Sequence, residues 1–271
     1  MYMAIRPFFK GKVITRIVVY GTLPVLFVVS LFIGQYDVSP SHVIDLLGAP
    51  FLNLLPEEII HVEPSWTAAE YNIVYIIRLP RVIAAVLVGS GLALAGAAYQ
   101  GLFKNPLVSP DILGVSSGAG FGASLAILLS AGAFMTQLSA FCFGILAVAI
   151  TYLLSRVYRT TPTLILVLSG IIVGAFFTAL ISLTKYLADP YEKLPAITFW
   201  LMGSLAAVRY SDLLLVAPPM LAAAAILILI RWRINLLAVG DDEARALGID
   251  TKRMSQIIII CSTLITAGAV C

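Results

Sequence analysis

A dense group of charged residues interrupts an apolar stretch late in the chain, in LLAVGDDEARALGID (residues 236–250). Acidic side chains favour the first turn of a helix, where they meet the positive end of its dipole, and glycine suits the left-handed position just past a helix. The pattern predicts a short helix over 240–248, built from Gly240, Asp241, Asp242, Glu243, Ala244, Arg245, Leu247 and Gly248.

One side of this predicted helix is apolar, through Leu236, Leu237, Val239, Ala244 and Leu247. A helix that lies on a membrane surface typically has a polar side rich in lysine and arginine. Here three acids lead the helix, and an anionic leaflet would repel them. The sequence therefore favours docking to a protein partner over docking to lipid.

Two arginines, Arg78 and Arg81, flank Pro80 just ahead of an apolar run. Guanidinium groups suit bidentate pairing with carboxylates, so the pair is a candidate for docking an acidic partner. The alternative is that both side chains extend along the membrane interface and keep their charges in water.

The other reactive residue types form no catalytic pattern. His42 and His61 are interpreted as solvated loop histidines. Cys142, Cys261 and Cys271 lack disulfide or metal-ligand spacing and are interpreted as small core residues. The sequence contains no Gly-x-x-x-x-Gly-Lys-Ser/Thr motif for ATP. No catalytic residue, metal site or cofactor is predicted in this chain, and no partnership with nucleic acid.

The elements that position these residues must lie in a membrane. The chain is 61% hydrophobic and 11% charged, whereas soluble domains carry about 25% charged residues. Its apolar runs do not alternate as barrel strands do. We predict an all-α polytopic membrane protein with one transmembrane domain over residues 1–271 and about seven spans of roughly 20 residues, near 17–36, 82–103, 113–130, 137–155, 162–184, 213–230 and 255–271.

Two segments outside the spans have their own predictions. Loop 37–77 is expected outside the membrane, with short helices at 41–47 and near 67–76. The window 194–208 is too short to cross with ease and is interpreted as interfacial or re-entrant. Asn105, Pro106 and Pro110 indicate an ordered, non-helical turn that packs against other helices.

The distribution of lysine and arginine orients the spans. With the N-terminus inside, twelve of the 17 basic residues fall in inner segments, including segment 235–253, and five in outer ones. Because cytoplasmic segments are enriched in lysine and arginine, we expect this orientation in a cytoplasmic membrane. The N-terminal basic cluster precedes an uncleaved first span, since no small-residue cleavage site follows a short apolar core.

Three stretches carry a resemblance to a known family: RLPRVIAAVLVGSGLALAGAAYQGLFKNPLVSPDILGVSSGAG (78–120), ITFWLMGSL (197–205) and NLLAVGDDEARALGI (235–249). Together they resemble the FecCD/BtuC-type permeases of type II ABC importers, which take up iron–siderophore, haem or vitamin B12. The resemblance covers nearly the whole chain from residue 78 onward.

The resemblance implies a helical bundle of the type II importer permease fold, with about ten helices per subunit in the family. It implies a homodimer in a prokaryotic inner membrane, two cytoplasmic ATP-binding subunits that hold ATP and Mg²⁺, and an extracytoplasmic binding protein. In the family, arginines matching Arg78 and Arg81 meet carboxylates on the binding protein, and segment 240–248 is the coupling helix in a cleft of the ATPase. Since family members continue past residue 271, we expect the sequence to be truncated there.

The resemblance also implies that the fifth span lines a translocation path and that its inner end forms a gate, through Thr161, Thr163, Ser169, Gly170 and Gly174. Two simpler interpretations stay open. Thr163 suits a helix start beside Pro162, and dense small residues suit close helix packing.

The function predicted from these observations is import of a metal chelate, most simply an iron–siderophore or haem. Cobalamin or a metal oxyanion such as molybdate is the alternative within the same type of importer. An ion-coupled secondary transporter is less favoured, because such proteins usually place an ionisable residue or a broken helix at mid-membrane and no predicted span here contains a charge.

Overall fold

The computed structural model describes residues 8–52, 66–157 and 162–271, which form helices and turns without strands. The helices are α1 (Phe8–Phe32), α2 (Pro40–Leu52), α3 (Ala68–Tyr71), a π-helix (Asn72–Arg78), α4 (Leu79–Phe103), α5 (Val115–Leu128), α6 (Ala133–Val157), α7 (Pro162–Leu187), α8 (Lys193–Met202), α9 (Tyr210–Leu229), α10 (Arg231–Val239), α11 (Asp241–Ala246) and α12 (Thr251–Val270).

Five helical stretches are long and apolar enough to cross a membrane: Ala68–Phe103, Ala133–Arg156, Leu164–Leu187, Tyr210–Leu229 and Thr251–Val270. Each overlaps a predicted span, so the all-α membrane fold is confirmed. The apolar helices Tyr20–Phe32 and Val115–Leu128 are shorter. At 14 residues, α5 is about 21 Å long, less than a hydrocarbon core of about 30 Å.

The shorter helices largely follow the sequence. α2 and the helical stretch that begins at Ala68 occur where short helices were predicted in loop 37–77. α8 has 10 residues and lies in the window interpreted as interfacial or re-entrant.

The helix through α3, the π-helix and α4 is continuous, whereas the sequence predicted a short helix near 67–76 separate from the span over 82–103. Pro80 lies within this stretch and lacks an N–H group to donate to a preceding carbonyl. The wider π turn ends two residues before Pro80, and there the Leu79 N–H donates to the Val74 carbonyl. The helix thus passes a proline by a local change of winding, as π-bulges do.

The chain divides into two compact units. The first contains the described residues up to Val86 together with Ala206–Tyr210. Its core joins α1, α2 and the π-helix through Leu31, Val38, Val43, Leu46 and Val74. The Tyr75 hydroxyl donates to the Leu46 carbonyl at 2.6 Å, which fixes α2 against the π-helix.

The interpretation of His42 as a solvated histidine was wrong. Its Nδ1 lies 3.0 Å from Oε1 of Glu70, and the side chains are 29% and 11% exposed. Glu70 is held in place because its other carboxylate oxygen accepts the Thr67 N–H at 2.8 Å, in a capping box at the start of α3. His61 lies outside the described residues.

The second unit contains Leu87–Leu205 and Ser211–Cys271. In it, α5 packs closely against α6 and α7. A Cβ added at Gly118 would lie 2.5 Å from the Phe143 carbonyl oxygen, and one at Gly122 would lie 2.5 Å from that of Ser139. Small residues therefore serve close helix approach here, as in many membrane proteins.

α12 is the most buried span of the second unit and packs on α5 and α6. Cys261 lies buried within it, as predicted, and Cys271 is half-buried. Cys142 is exposed, so its interpretation as a core residue was wrong.

Candidate functional site

The charged segment 235–250 folds as two short helices. α10 ends at Val239, and α11 begins at Asp241. The backbone at Gly240, between them, is extended and interrupts the helix. Asp241, Asp242 and Glu243 occupy the first turn of α11 and are exposed. The predicted helix and its acidic first turn are present, although α11 as observed is only 6 residues long.

The end of α11 is fixed by a Schellman motif. Gly248 has φ +79°, in the left-handed region that glycine tolerates best. Its N–H donates to the Arg245 carbonyl at 2.9 Å, and the Ile249 N–H donates to the Ala244 carbonyl at 3.0 Å. The predicted C-terminal role of Gly248 is confirmed.

α10 packs tightly against the end of α4. Ile234 and Leu237 are buried in the main core of the second unit, together with Tyr99 and Phe103 of α4. A Cβ at Gly101 would lie 2.9 Å from Cγ2 of Ile234. The lack of a side chain at Gly101 therefore allows α10 to approach α4.

An ion pair connects α11 to α4 across 137 residues of sequence. Nζ of Lys104 lies 2.8 Å from Oδ1 of Asp241, with side chains 38% and 55% exposed. Lys104 extends just past α4 with φ +53°, an uncommon conformation for a residue with a side chain. No local sequence signal could have revealed this pair, because its members lie on separate elements.

α11 is also joined to α12. The loop after Gly248 leads to Asp250, whose Oδ1 accepts the Arg253 N–H at 3.0 Å and caps α12. Nε of Arg245 lies 3.4 Å from Oγ1 of Thr251. A displacement of α11 would therefore act on both α4 and α12.

The predicted apolar side of the segment is divided between core and surface. Ala244 and Leu237 are buried, and Leu236 is half-buried. Val239 and Leu247 are exposed at 72% and 65%. The two exposed side chains and the three acids form what we call the α11 surface: Val239, Asp241, Asp242, Glu243 and Leu247.

The turn between α4 and α5 is ordered and non-helical, as predicted for Asn105, Pro106 and Pro110. Oδ1 of Asn105 accepts the Leu107 N–H at 2.9 Å. Oδ1 of Asp111 accepts the Ser116 N–H at 2.7 Å at the start of α5. Leu113 is fully buried, and its carbonyl accepts Oγ1 of Thr151 at 3.1 Å.

Arg78 and Arg81 differ in environment. Arg78 is only 8% exposed. Its Nη1 donates to the carbonyls of Leu31 at 2.8 Å and Phe32 at 3.2 Å, and its Nη2 donates to that of Tyr36. Arg78 therefore caps the C-terminal end of α1, a role that the sequence did not suggest. Arg81 is half-exposed, and its buried Nε has no hydrogen-bond partner among the described residues.

The proposed path residues lie on α7 or just before it. Thr161 lies outside the described residues, and Thr163 is in the first turn of α7. Ser169 and Gly170 are buried. A Cβ at Gly170 would clash with the Ile112 carbonyl oxygen, and one at Gly114 would lie 3.2 Å from the Gly174 nitrogen. Gly170 and Gly174 thus serve close packing of α7 against the turn before α5.

Across residues 8–52, 66–157 and 162–271, no three or more His, Cys, Asp or Glu side chains are grouped so as to hold a metal ion. The capping box at Thr67 and Glu70 was missed, although its Thr-x-x-Glu spacing is a local signal.

Comparison with known proteins gives concordant matches. A profile of the FecCD transport family matches residues 22–271. The chain is 38% identical over 240 residues to the molybdate import system permease protein MolB of Haemophilus influenzae, covering 89% of the chain and 68% of that protein. It is 37% identical over 201 residues to the cobalamin import system permease protein BtuC of Halobacterium salinarum, covering 73% and 53%.

A third relative, named "Probable iron chelatin transport system permease protein", comes from Helicobacter pylori and is 39% identical over 194 residues, covering 72% of the chain and 58% of that protein. The chain thus spans between about half and two thirds of the length of these relatives. A solved structure, of an ABC transporter described as metal-chelate type in an inward-facing conformation, superposes with a TM-score of 0.78 at 35% identity, covering 96% of the chain and 75% of that one.

Proposed function

Because the chain belongs to the FecCD transport family, we propose that it is the membrane-spanning permease of a binding-protein-dependent ABC importer in the cytoplasmic membrane of a prokaryote. ATP and Mg²⁺ bind to partner ATPase subunits, and this chain has no catalytic role of its own. The N-terminus and α11 face the cytoplasm. The excess of lysine and arginine in the corresponding segments supports this orientation.

The observation that carries the proposal is the α11 surface together with its attachments. Its acids and its exposed apolar side chains suit a protein cleft better than an anionic lipid surface. Asp241 bonds to Lys104 after α4, and Arg245 reaches Thr251 in α12. When the ATPase subunits close, a push on α11 moves the inner ends of two spans together, which is a mechanical link between two states of the permease.

Co-purification tests this proposal. The double substitution Val239→Glu with Leu247→Glu places charges on the exposed apolar part of the α11 surface, and we expect it to abolish capture of the co-expressed ATPase subunit. Tyr191→Glu is the matched control, because Tyr191 is 89% exposed in the turn between α7 and α8, away from α11. Equal capture by both variants would contradict ATPase docking at α11.

We propose that the binding protein docks at the outer end of α4 through Arg81, since Arg78 is occupied by the end of α1. Arg81 is half-exposed and forms no ion pair with a carboxylate among the described residues, which leaves its guanidinium available for a carboxylate of the partner. Arg81→Glu is expected to weaken binding of the binding protein at least tenfold, since close charge pairs at interfaces couple by about 1.5 kcal/mol or more. Unchanged affinity would exclude Arg81 from this contact.

We further propose that the permease acts as a homodimer and that α7 contributes the face toward the second copy. Leu168, Ile172 and Phe176 are 49%, 65% and 57% exposed on α7, opposite the side on which Gly170 packs inside the subunit. In that arrangement the path runs along the exposed face of α7. Cysteine cross-linking at residue 172 should yield a dimer, whereas cross-linking at residue 153, on α6, should not.

The substrate is proposed to be a metal chelate, supported by the names of the Helicobacter relative and of the structural neighbour. A metal oxyanion is the second candidate, supported by the match to MolB over 89% of the chain. Uptake of radiolabelled ferric siderophore and of radiolabelled molybdate, measured side by side with the cognate binding protein, discriminates between them.

A further inference from the structure

A groove runs along the second unit between α6 and α12. Its volume is about 410 Å³, within the range of roughly 300–1,000 Å³ typical of ligand pockets. Its walls are mostly apolar and include Ile145, Val148, Ala149, Ile259, Ile260 and Leu264. The hydroxyl of Thr263, also in the wall, is satisfied because it donates to the Ile259 carbonyl at 2.7 Å.

Polar side chains collect at one end of this groove, at Tyr152 and Gln256. The Tyr152 hydroxyl oxygen accepts Nη2 of Arg156 at 2.8 Å and Nε2 of Gln256 at 2.7 Å. The Arg156 guanidinium lies over the Tyr152 ring, with its central carbon 4.7 Å from the ring centroid. Since the phenol oxygen has two lone pairs and both are used, its own proton is available to an external acceptor.

This cluster offers hydrogen-bond donors and positive charge. Arg156 is exposed, and no carboxylate in the described part of the chain forms an ion pair with it. Lys252 lies one helical turn before Gln256, on the same side of α12. An arginine, a lysine and a free phenol proton are complementary to an anion, and the guanidinium fork matches the geometry of a phosphate. Asp250, two residues before Lys252, is paired with Arg253.

The position of the cluster indicates which kind of molecule carries the anion. Arg156 is in the last turn of α6, and α12 begins just after α11, so the charged end of the groove lies at the same end of the bundle as the α11 surface. From Tyr152 to Ile145 the apolar wall extends about 10 Å along α6, into the membrane-spanning part of the helix. Basic pockets between spans at the cytoplasmic side suit anionic lipid head groups.

We propose that this groove binds an anionic phospholipid, with one acyl chain against the apolar wall and the head-group phosphate on Arg156, Tyr152 and Lys252. A free phosphate would not use the apolar wall. A zwitterionic lipid would bring its cation next to Arg156 and Lys252.

Native mass spectrometry of the complex with its ATPase subunits tests the proposal. The complex is delipidated in detergent and titrated with phosphatidylglycerol or phosphatidylcholine. We expect phosphatidylglycerol to be retained about tenfold better, and Arg156→Gln to reduce its retention about tenfold. Arg253→Gln is the matched control, because Arg253 is 82% exposed and paired with Asp250, outside the groove. Equal retention of both lipids, or equal loss in both variants, would overturn the proposal.

A second variant keeps the test independent of charge. Ala149 is exposed in the groove wall, so Ala149→Trp should fill the apolar part without disturbing the core and should lower retention of phosphatidylglycerol as strongly as Arg156→Gln. If wild-type protein instead excludes lipid, and a cysteine at position 149 cross-links to a protein helix, the groove is a protein interface and the lipid proposal is wrong.

Discussion

The buried guanidinium of Arg78 satisfies carbonyl groups that α1 leaves unpaired at its C-terminal end. Hydrogen bonds from a charged donor contribute about 1.5–3 kcal/mol each, and unsatisfied buried acceptors add to the loss. We therefore expect Arg78→Gln to lower the unfolding temperature in detergent clearly. Arg81→Gln should leave the unfolding temperature nearly unchanged, because the buried Nε of Arg81 has no hydrogen bond that the substitution would remove. Equal losses in the two variants would refute the capping role.

For single residues, environments set by neighbours in sequence could be predicted, and environments set by distant residues could not. Gly248 could be assigned to a helix end because the left-handed cap depends on its immediate neighbours. His42 and Arg78 could not, since their partners lie 28 and 42–47 residues away and depend on how α1 and α2 fold back. The environments of such residues are set by tertiary packing, which composition and spacing do not specify.

Among the elements, α5 depends most on the absence of side chains. A Cβ at Gly118 would lie 2.5 Å from a backbone oxygen of α6 and 2.6 Å from the Ala147 side chain. Backbone cannot move aside cheaply, so Gly118→Ala should destabilise the protein by about 1–3 kcal/mol. Gly89→Ala on α4 is the control, because nothing lies within 4 Å of the added Cβ. Thermal unfolding of both variants measures the difference; similar curves would show that α5 and α6 are less closely packed than described.

The long spans followed from the sequence because a membrane demands a fixed apolar length. That rule placed the spans near 137–155 and 213–230 well. It failed where winding, rather than hydropathy, decides the structure. The π-helix before Pro80 keeps Ala68–Phe103 continuous, and no apolar pattern distinguishes a π turn from an α turn. Similarly, the dense glycines of the fifth span were consistent with a translocation path and with close helix packing. The close approach of Gly170 to the Ile112 carbonyl favours packing for that residue.

At the scale of the whole molecule, contacts between distant segments agree with the predicted sidedness of the loops. Lys104 meets Asp241 at one end of the second unit, and Nζ of Lys193 reaches the Leu128 carbonyl at 2.5 Å at the other. Within the first unit, the Tyr210 hydroxyl donates to the Tyr75 carbonyl at 2.7 Å. Each pair joins segments that the charge distribution had assigned to the same side.

The Lys104–Asp241 ion pair gives the proposed energy transfer a test on the assembled transporter. If α11 moves α4 through this pair, Lys104→Asp alone and Asp241→Lys alone should each lower substrate uptake per ATP hydrolysed. A partly exposed pair contributes about 0.2–1 kcal/mol, so the expected loss is about 1.4-fold to fivefold. The double variant exchanges the two charges and should recover most of the coupling, because the pair can re-form in the opposite sense.

Uptake and ATP hydrolysis are measured together in proteoliposomes with the ATPase subunits and the binding protein. If the double variant loses as much uptake per ATP hydrolysed as the two single variants combined, the two side chains act separately. In that case α11 moves α4 through α10, at the contact between Gly101 and Ile234.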